Sequence, residues 1–192
     1  RLGELIIPSL NSFDPTHHVS HSAIISYRVT PSGARYASFH IPWTKTTHGE
    51  GDFITVSRID DPTNPYDALV HHIAANSVVT PSAPLLAFET QSGWAPMTRA
   101  WFLTRCNNVW KSSEGLETLS GHCFWIRGAT ELLLRGTPPN IVVVQGCWKS
   151  RSFLDYWRRI ESIRPTSIAS SMQDSRISLI KASMDSYERR YK

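Results

Sequence analysis

A chain of 192 residues with 41% hydrophobic residues and seven tryptophans can bury one sizeable core, which excludes a disordered tail. Lysine and arginine exceed aspartate and glutamate by 20 to 16, a mild basic excess that is compatible with a polyanionic partner and is also common in proteins without one. No apolar run approaches the roughly 18 residues that cross a bilayer, and the first residues lack a signal-peptide pattern, so we expect neither membrane insertion nor secretion.

The N-terminal third of the chain predicts a small antiparallel sheet. Residues 1–5 have the pattern of a helix that is ending. β-Branched and aromatic residues then dominate three segments, 22–30, 34–41 and 52–57. The turn 30–33 contains proline and glycine, which favours a hairpin between the first two strands. Lys45 falls where the second strand opens into the loop 46–51.

Helical periodicity replaces the strand pattern beyond Pro65. Apolar residues recur at a helical spacing from Tyr66 to Asn76, and Thr98 has the chemistry of an N-cap for a helix over 99–111. Further helices are predicted at 121–136, 138–145, 152–163 and 171–191. The predicted fold class is α+β, mainly helical, with one three-stranded antiparallel sheet.

The cysteines and histidines indicate neither a disulfide framework nor a metal site. Paired spacing is absent among the cysteines, which are Cys106, Cys123 and Cys147. This usage favours a reducing, intracellular compartment. The histidine groups 17–21 and 71–72 lack carboxylate or cysteine partners in the sequence, so we predict no zinc ion there.

Histidine, tryptophan, tyrosine and arginine concentrate in the C-terminal third. Segment 121–130 reads GHCFWIRGAT, 145–150 reads QGCWKS and 153–159 reads FLDYWRR. Basic residues crowd around Tyr156, namely Lys149, Arg151, Arg158, Arg159 and Arg164. A local basic face of this kind predicts phosphate binding.

In this order, the three segments resemble the tyrosine recombinase (phage integrase) family of DNA breaking-rejoining enzymes, especially its transposon-derived fungal members. The resemblance implies a catalytic domain over residues 1–165 and a C-terminal tail over 166–192 that packs either on another protomer or on its own core. It implies a double-stranded DNA substrate, a homo-oligomer on DNA, a nuclear location, and no cofactor, metal or small-molecule substrate. Because the chain starts at Arg1 without a methionine, we expect the family's DNA-clamping domain to precede it.

Transesterification at a DNA phosphate needs a nucleophile, cations on the non-bridging oxygens and an acid for the leaving 5′ oxygen. The resemblance makes Tyr156 the nucleophile that forms a 3′-phosphotyrosyl bond; an ordinary helix tyrosine with a packed ring is the alternative. Arg1, with Glu4 three residues later, takes the position of the first phosphate-binding arginine. An arginine fork binds phosphate at two points and keeps its charge. Lys45 takes the position of the general acid in the β-hairpin.

The second arginine position departs from the family pattern. The family reads His-x-x-Arg there, and this chain reads His122-Cys123-Phe124-Trp125. Arg127 lies about 200° further around a helix, so it cannot take the same place, although it adds to the DNA-binding cations. Losing one clamp predicts a loss of about 3 kcal/mol of transition-state stabilisation. An impaired recombinase and an inactive DNA-binding or protein-binding relative therefore both stay open.

Trp148 occupies the position where the family keeps a histidine or tryptophan at the phosphate. Gly146-Cys147 also matches the family's Gly-His pair, which would place Cys147 there, and a tryptophan is more often a core residue. The recombinase interpretation predicts one basic cleft formed by Arg1, Lys45, His122, Trp148 and Tyr156. An unrelated helical interaction domain would scatter these side chains over separate faces.

Overall fold

The computed structural model describes residues 2–111, 118–146 and 148, together with 182, 183, 185–187 and 189, and it has an α+β fold. The chain divides into two compact units, Arg1–Gly121 and His122–Lys192, and each has its own buried core. In chain order the elements are α1 (Leu2–Leu5), β1 (Ser26–Val29), β2 (Arg35–Ile41), β3 (Asp52–Ser57), α2 (Pro65–Ala75), β4 (Ala87–Thr90), β5 (Gly93–Pro96), α3 (Arg99–Lys111), α4 (Gly121–Leu134) and α5 (Pro139–Gln145).

The predicted three-stranded antiparallel sheet is present, with β2 between β1 and β3. The predicted turn is present as well, since the Thr30 N–H donates to the Ala34 carbonyl at 2.9 Å and Gly33 supplies a φ of 85°. The first strand begins at Ser26, later than predicted. Residues 20–23 instead bond to the loop before β4, where the His21 N–H donates to the Ala83 carbonyl at 2.7 Å.

One face of the sheet is buried and the other is open. Alternate residues of β2 are buried, and Phe39 and Ile41 form a core with Val19 and Leu85. Helix α2 covers this core with Leu69 and Ile73 and has Asn64 as its N-cap. The strand register places a row of small hydroxyl residues on the opposite, outer face, made up of Ser26, Ser38 and Thr55.

The hairpin of β4 and β5 was missed in the sequence. Each strand is only four residues long, and Pro96 ends the second, so the alternation is too short to signal a strand. The tight turn before Gly93, whose φ is 127°, is the signal that remains. The cap that follows was predicted correctly, because Thr98 Oγ1 accepts from the Trp101 N–H at 3.2 Å at the start of α3.

The second unit is built on α4 and α5. Its core contains Ala129 and Leu133 from α4, Val142 from α5, and Trp148 beyond α5. Tyr187 packs against this cluster, and the described positions between 182 and 189 are helical, in agreement with the helix predicted over 171–191. The helix predicted over 152–163 and the predicted boundary at 165 lie outside the described residues. None of the described helices has the length and apolar character needed to span a membrane.

His72 connects α2 to the loop before β4, and the backbone of His21 bonds to the same loop. The Nε2–H of His72 donates to the Leu85 carbonyl at 3.0 Å, and its Nδ1 accepts from the Asn76 side-chain amide at 3.2 Å. The side-chain oxygen of Asn76 in turn accepts from the Glu89 N–H at 2.8 Å. Nε2 of His21 is buried without a hydrogen-bond partner among the described residues. Burial, with a smaller effect of His72, lowers the pKa of His21.

The unfolding free energy is expected to decrease as the pH falls below about 6.5. His21 has its ordinary pKa of 6.5 in the unfolded chain and a lower one in the fold, so the unfolded chain binds more protons between these two values. The contribution of neutral His21 to the unfolding free energy is therefore fully present above pH 6.5 and is lost progressively as the pH falls toward the lowered pKa.

Urea denaturation from pH 7.5 to pH 5 should show this decrease in unfolding free energy, and His21→Leu should reduce its slope. His71→Gln, at an exposed position of α2, is the control and should keep it; an unchanged slope in His21→Leu would contradict the assignment.

Candidate functional site

Lys45 lies in a turn between β2 and β3 that Thr44 organises. Thr44 is fully buried, and its Oγ1 accepts from the backbone N–H groups of Thr46 at 3.2 Å and Thr47 at 3.0 Å. The Thr44 and His48 backbones exchange two hydrogen bonds, which close the turn, and His48 adopts a φ of 51°. The backbone of Lys45 is therefore fixed while its side chain is exposed.

Glu4 connects the first helix to this turn. Its side chain is only 6% exposed, and Oε1 accepts from the Lys45 N–H at 3.3 Å. Burying a carboxylate is costly unless hydrogen bonds compensate for lost water, so Glu4 anchors the turn specifically. Helix α1 and the Lys45 turn are therefore adjacent within the first unit.

Aromatic and imidazole rings flank the Lys45 turn. The ring of Trp43 lies between those of His17 and His48, with centroid distances of 5.5 and 5.9 Å. His17 Nδ1 is 2.9 Å from the Asp14 carboxylate, and hydrogen bonds from Thr16 and then His17 lower the pKa of Asp14 to about 2. Sequence reasoning missed this cluster and the role of Thr44, although a threonine followed by Lys-Thr-Thr is a pattern typical of a side-chain-capped turn.

Replacing Thr44 with valine is expected to lower the unfolding free energy by about 1–3 kcal/mol, because two backbone N–H groups of the turn lose their buried acceptor. Chemical denaturation measures this loss. Thr90→Val at a strand end is the control, since its hydroxyl makes one 3.5 Å contact and the change should have little effect. Equal stability of Thr44→Val and Thr90→Val would show that the hydroxyl of Thr44 does not hold the turn.

In the second unit, His122 and Trp125 lie one turn apart on α4. His122 is exposed, and its ring centroid is 5.8 Å from that of Trp125. Trp125 stacks on Trp148 with centroids 4.3 Å apart and planes 27° apart. Trp125 is thus an aromatic bridge between α4 and the chain beyond α5. Arg127 is exposed on α4.

Trp148 is part of the core of the second unit and is only 8% exposed. Its backbone N–H donates to the Val143 carbonyl at 3.1 Å, which turns the chain back onto α5. A Cβ at Gly146 would lie 1.5 Å from the Trp148 ring, so only glycine permits this approach. This environment is that of a core tryptophan, which was the alternative left open by the sequence.

Several predicted site residues lie outside the described residues: Arg1, Cys147, Lys149, Arg151, Tyr156, Arg158 and Arg159. The structure brings Glu4 and Lys45 together in the first unit, and His122, Trp125 and Trp148 together in the second. The single basic cleft, the nucleophile and the choice between Cys147 and Trp148 therefore stay predictions.

Within the described part of the chain, no three histidine, cysteine, aspartate or glutamate side chains converge in a way that would hold a metal ion. No family model, curated protein or solved structure matches this chain.

Proposed function

We propose that this chain carries a DNA strand-transfer site of the tyrosine recombinase type, which cleaves and rejoins double-stranded DNA through a 3′-phosphotyrosyl intermediate and is impaired by Trp125. The observation that carries the proposal is the hydrogen bond from the Lys45 N–H to buried Glu4. This bond joins the segment that resembles the first arginine box to the turn that carries the proposed general acid. On this proposal the protein acts in the nucleus, as a homo-oligomer on DNA.

In the proposed reaction the Tyr156 oxygen attacks the scissile phosphorus. The hydroxyl proton of Tyr156 passes to water as the bond from phosphorus to the tyrosine oxygen forms and the bond to the 5′ oxygen breaks. The leaving 5′ oxygen takes a proton from Lys45, which regains one from water. Arg1 and His122 bind the non-bridging oxygens, on which negative charge increases. Attack of a 5′ hydroxyl on the phosphotyrosine reverses these steps and rejoins a strand. Arg127 and the four basic residues Lys149, Arg151, Arg158 and Arg159 bind flanking phosphates.

The geometry of the turn supports Lys45 as the acid. A general acid must reach one atom of the substrate, and its backbone must therefore be fixed. Glu4 accepts from the Lys45 amide itself and Thr44 accepts from the two amides that follow it, while the Lys45 side chain is exposed.

A second candidate function, DNA binding without chemistry, is favoured by the stack of Trp125 on Trp148. An indole at the second arginine position offers one N–H donor in place of a charged, five-donor fork. Its apolar packing in the core also stabilises the fold without any contribution to phosphate binding. A chain with packing in place of phosphate binding at this position keeps the scaffold of the site without a cation that the reaction needs.

The test is incubation of the protein with supercoiled plasmid, followed by a denaturing gel that detects covalent protein–DNA adducts. The unsubstituted chain is compared with Tyr156→Phe and with Tyr27→Phe, an exposed tyrosine of β1 that serves as the control. An adduct that disappears only in Tyr156→Phe supports strand transfer. Salt-sensitive DNA binding with no adduct in any variant would overturn strand transfer and favour the binding-only function.

A further inference from the structure

A cavity of about 470 Å³ opens on the outer face of the sheet, wholly within the first unit. This size lies within the range of small-molecule sites. Two cross-strand pairs form its floor. Ser26 of β1 pairs with Ser38 of β2, and His40 of β2 pairs with Phe53 of β3. The loop before β1 forms the opposite wall with Pro15, His18, Val19, Ser20, Ala23 and Ile24.

Two features of the lining point to a flat ring as the ligand. Phe53 is 69% exposed and its ring lies 5.1 Å from that of His40, so an aromatic pair faces solvent at the cavity. Ile24 is 85% exposed on the facing loop. Large apolar side chains that are exposed to solvent on both sides of a cavity favour a planar, partly apolar ligand, because such a ligand can stack on one of them and remove apolar surface from water.

The polar groups of the lining point to a ring with both donors and acceptors. The hydroxyls of Ser26 and Ser38 each donate and accept, and neither has a side-chain hydrogen bond to another described residue. The Nε2–H of His40 donates to the Glu50 carbonyl at 3.2 Å, which leaves Nδ1 as an acceptor. The described residues that line the cavity include no lysine, arginine, aspartate or glutamate. A strongly charged ligand therefore has no counter-ion here.

A glycine allows the β2–β3 connection to approach His40 closely. Gly51 has a φ of 66°, and a Cβ there would lie 2.0 Å from the Ile41 carbonyl oxygen and 2.7 Å from His40 Nε2. The β2–β3 connection can approach the imidazole this closely only with glycine at position 51. The edge of the cavity is thus preorganised by the backbone, which reduces the entropy cost of binding.

We propose that this cavity binds a planar, uncharged heteroaromatic ring of the nucleobase class, stacked against Phe53 and hydrogen-bonded to Ser26, Ser38 and His40. The ring comes from a free nucleoside or from an unpaired base of a nucleic-acid strand, since both present the same edges. The proposal does not depend on the tyrosine chemistry, because none of the residues proposed for strand transfer lines the cavity.

The test is a titration of the full chain, followed by amide NMR shifts, with adenosine, with thymidine and with a single-stranded oligonucleotide of about 12 residues. Saturable shifts centred on Ser26, Ser38 and His40 are expected. Ser38→Leu fills the cavity from the outer face and should weaken binding at least about tenfold, as the loss of one stacked base does. Ser57→Leu, on the same face of the sheet but outside the cavity lining, is the control and should bind within about twofold of the unsubstituted chain.

Phe53→Ala provides a second variant that leaves the core intact, because Phe53 is exposed. The proposal is supported if the chain binds nucleosides and both Ser38→Leu and Phe53→Ala weaken that binding. If the chain binds only the oligonucleotide, and the same two variants weaken binding, the ring belongs to a nucleic-acid strand. Absence of shifts at the cavity with every probe would overturn it. Binding that Ser38→Leu and Phe53→Ala leave unchanged would overturn it equally.

Discussion

If the proposed function holds, a Trp125→Arg variant is expected to form the covalent DNA adduct about 100-fold to 1000-fold faster than the unsubstituted chain, because it adds a second cationic fork to the proposed phosphate site. The position lies one helical turn after His122, so a restored arginine would extend from the same part of α4. The measurement is the rate of adduct formation on supercoiled plasmid under single-turnover conditions.

The matched control for that experiment is Trp125→Leu. Both variants remove the ring that stacks on Trp148, so both lose the same aromatic contact, and only arginine supplies the fork. We expect no gain in rate for the leucine variant. Circular dichroism shows whether each variant folds. An arginine variant that folds and binds DNA, yet reacts no faster than the leucine variant, would contradict the role assigned to position 125.

Replacing Trp148 with alanine is expected to lower the unfolding free energy of the second unit by about 3–5 kcal/mol. Its ring is 8% exposed, stacks on Trp125 and fills the space between Val142 and Leu133. Removing it leaves a cavity beside Gly146, where the ring lies against the backbone. Thermal or urea unfolding, followed by tryptophan fluorescence and circular dichroism, measures the change.

Trp94→Ala serves as the comparison for that prediction. Trp94 is 42% exposed on β5, so its removal should cost about 1 kcal/mol, the usual effect of a substitution outside the core. Losses of similar size in the two variants would show that Trp148 is not buried as described. A large loss in Trp148→Ala alone is the predicted result.

Local chemistry made much of the fold predictable from sequence. β-Branched and aromatic residues predicted β2 and β3, the proline and glycine of 30–33 predicted the hairpin, and Thr98 predicted the start of α3. The start of β1 was wrong because residues 20–23 pair with a segment about 60 positions away, a contact that no local pattern reports. The hairpin of β4 and β5 was too short to show a period.

The candidate site was predictable only in part. A motif indicates which residue types occur in order, and it placed Lys45 in the β2–β3 turn correctly. Thr44 holds the turn through local bonds to Thr46 and Thr47, but the carboxylate of Glu4 reaches the turn from 41 positions away, a contact that no local pattern reports. The stack of Trp125 on Trp148 likewise depends on how α4 and α5 pack, so the sequence could identify the substitution but not its packing partner.

The most direct test of the proposed function is to identify the amino acid that carries the DNA. The covalent adduct, formed by the unsubstituted chain or by Trp125→Arg, is digested with protease and nuclease, and the peptide that retains a nucleotide is sequenced by mass spectrometry. We predict a 3′-phosphate linked to Tyr156. A nucleotide on any other residue, or no modified peptide from either protein under conditions in which both bind DNA, would contradict strand transfer by this chain.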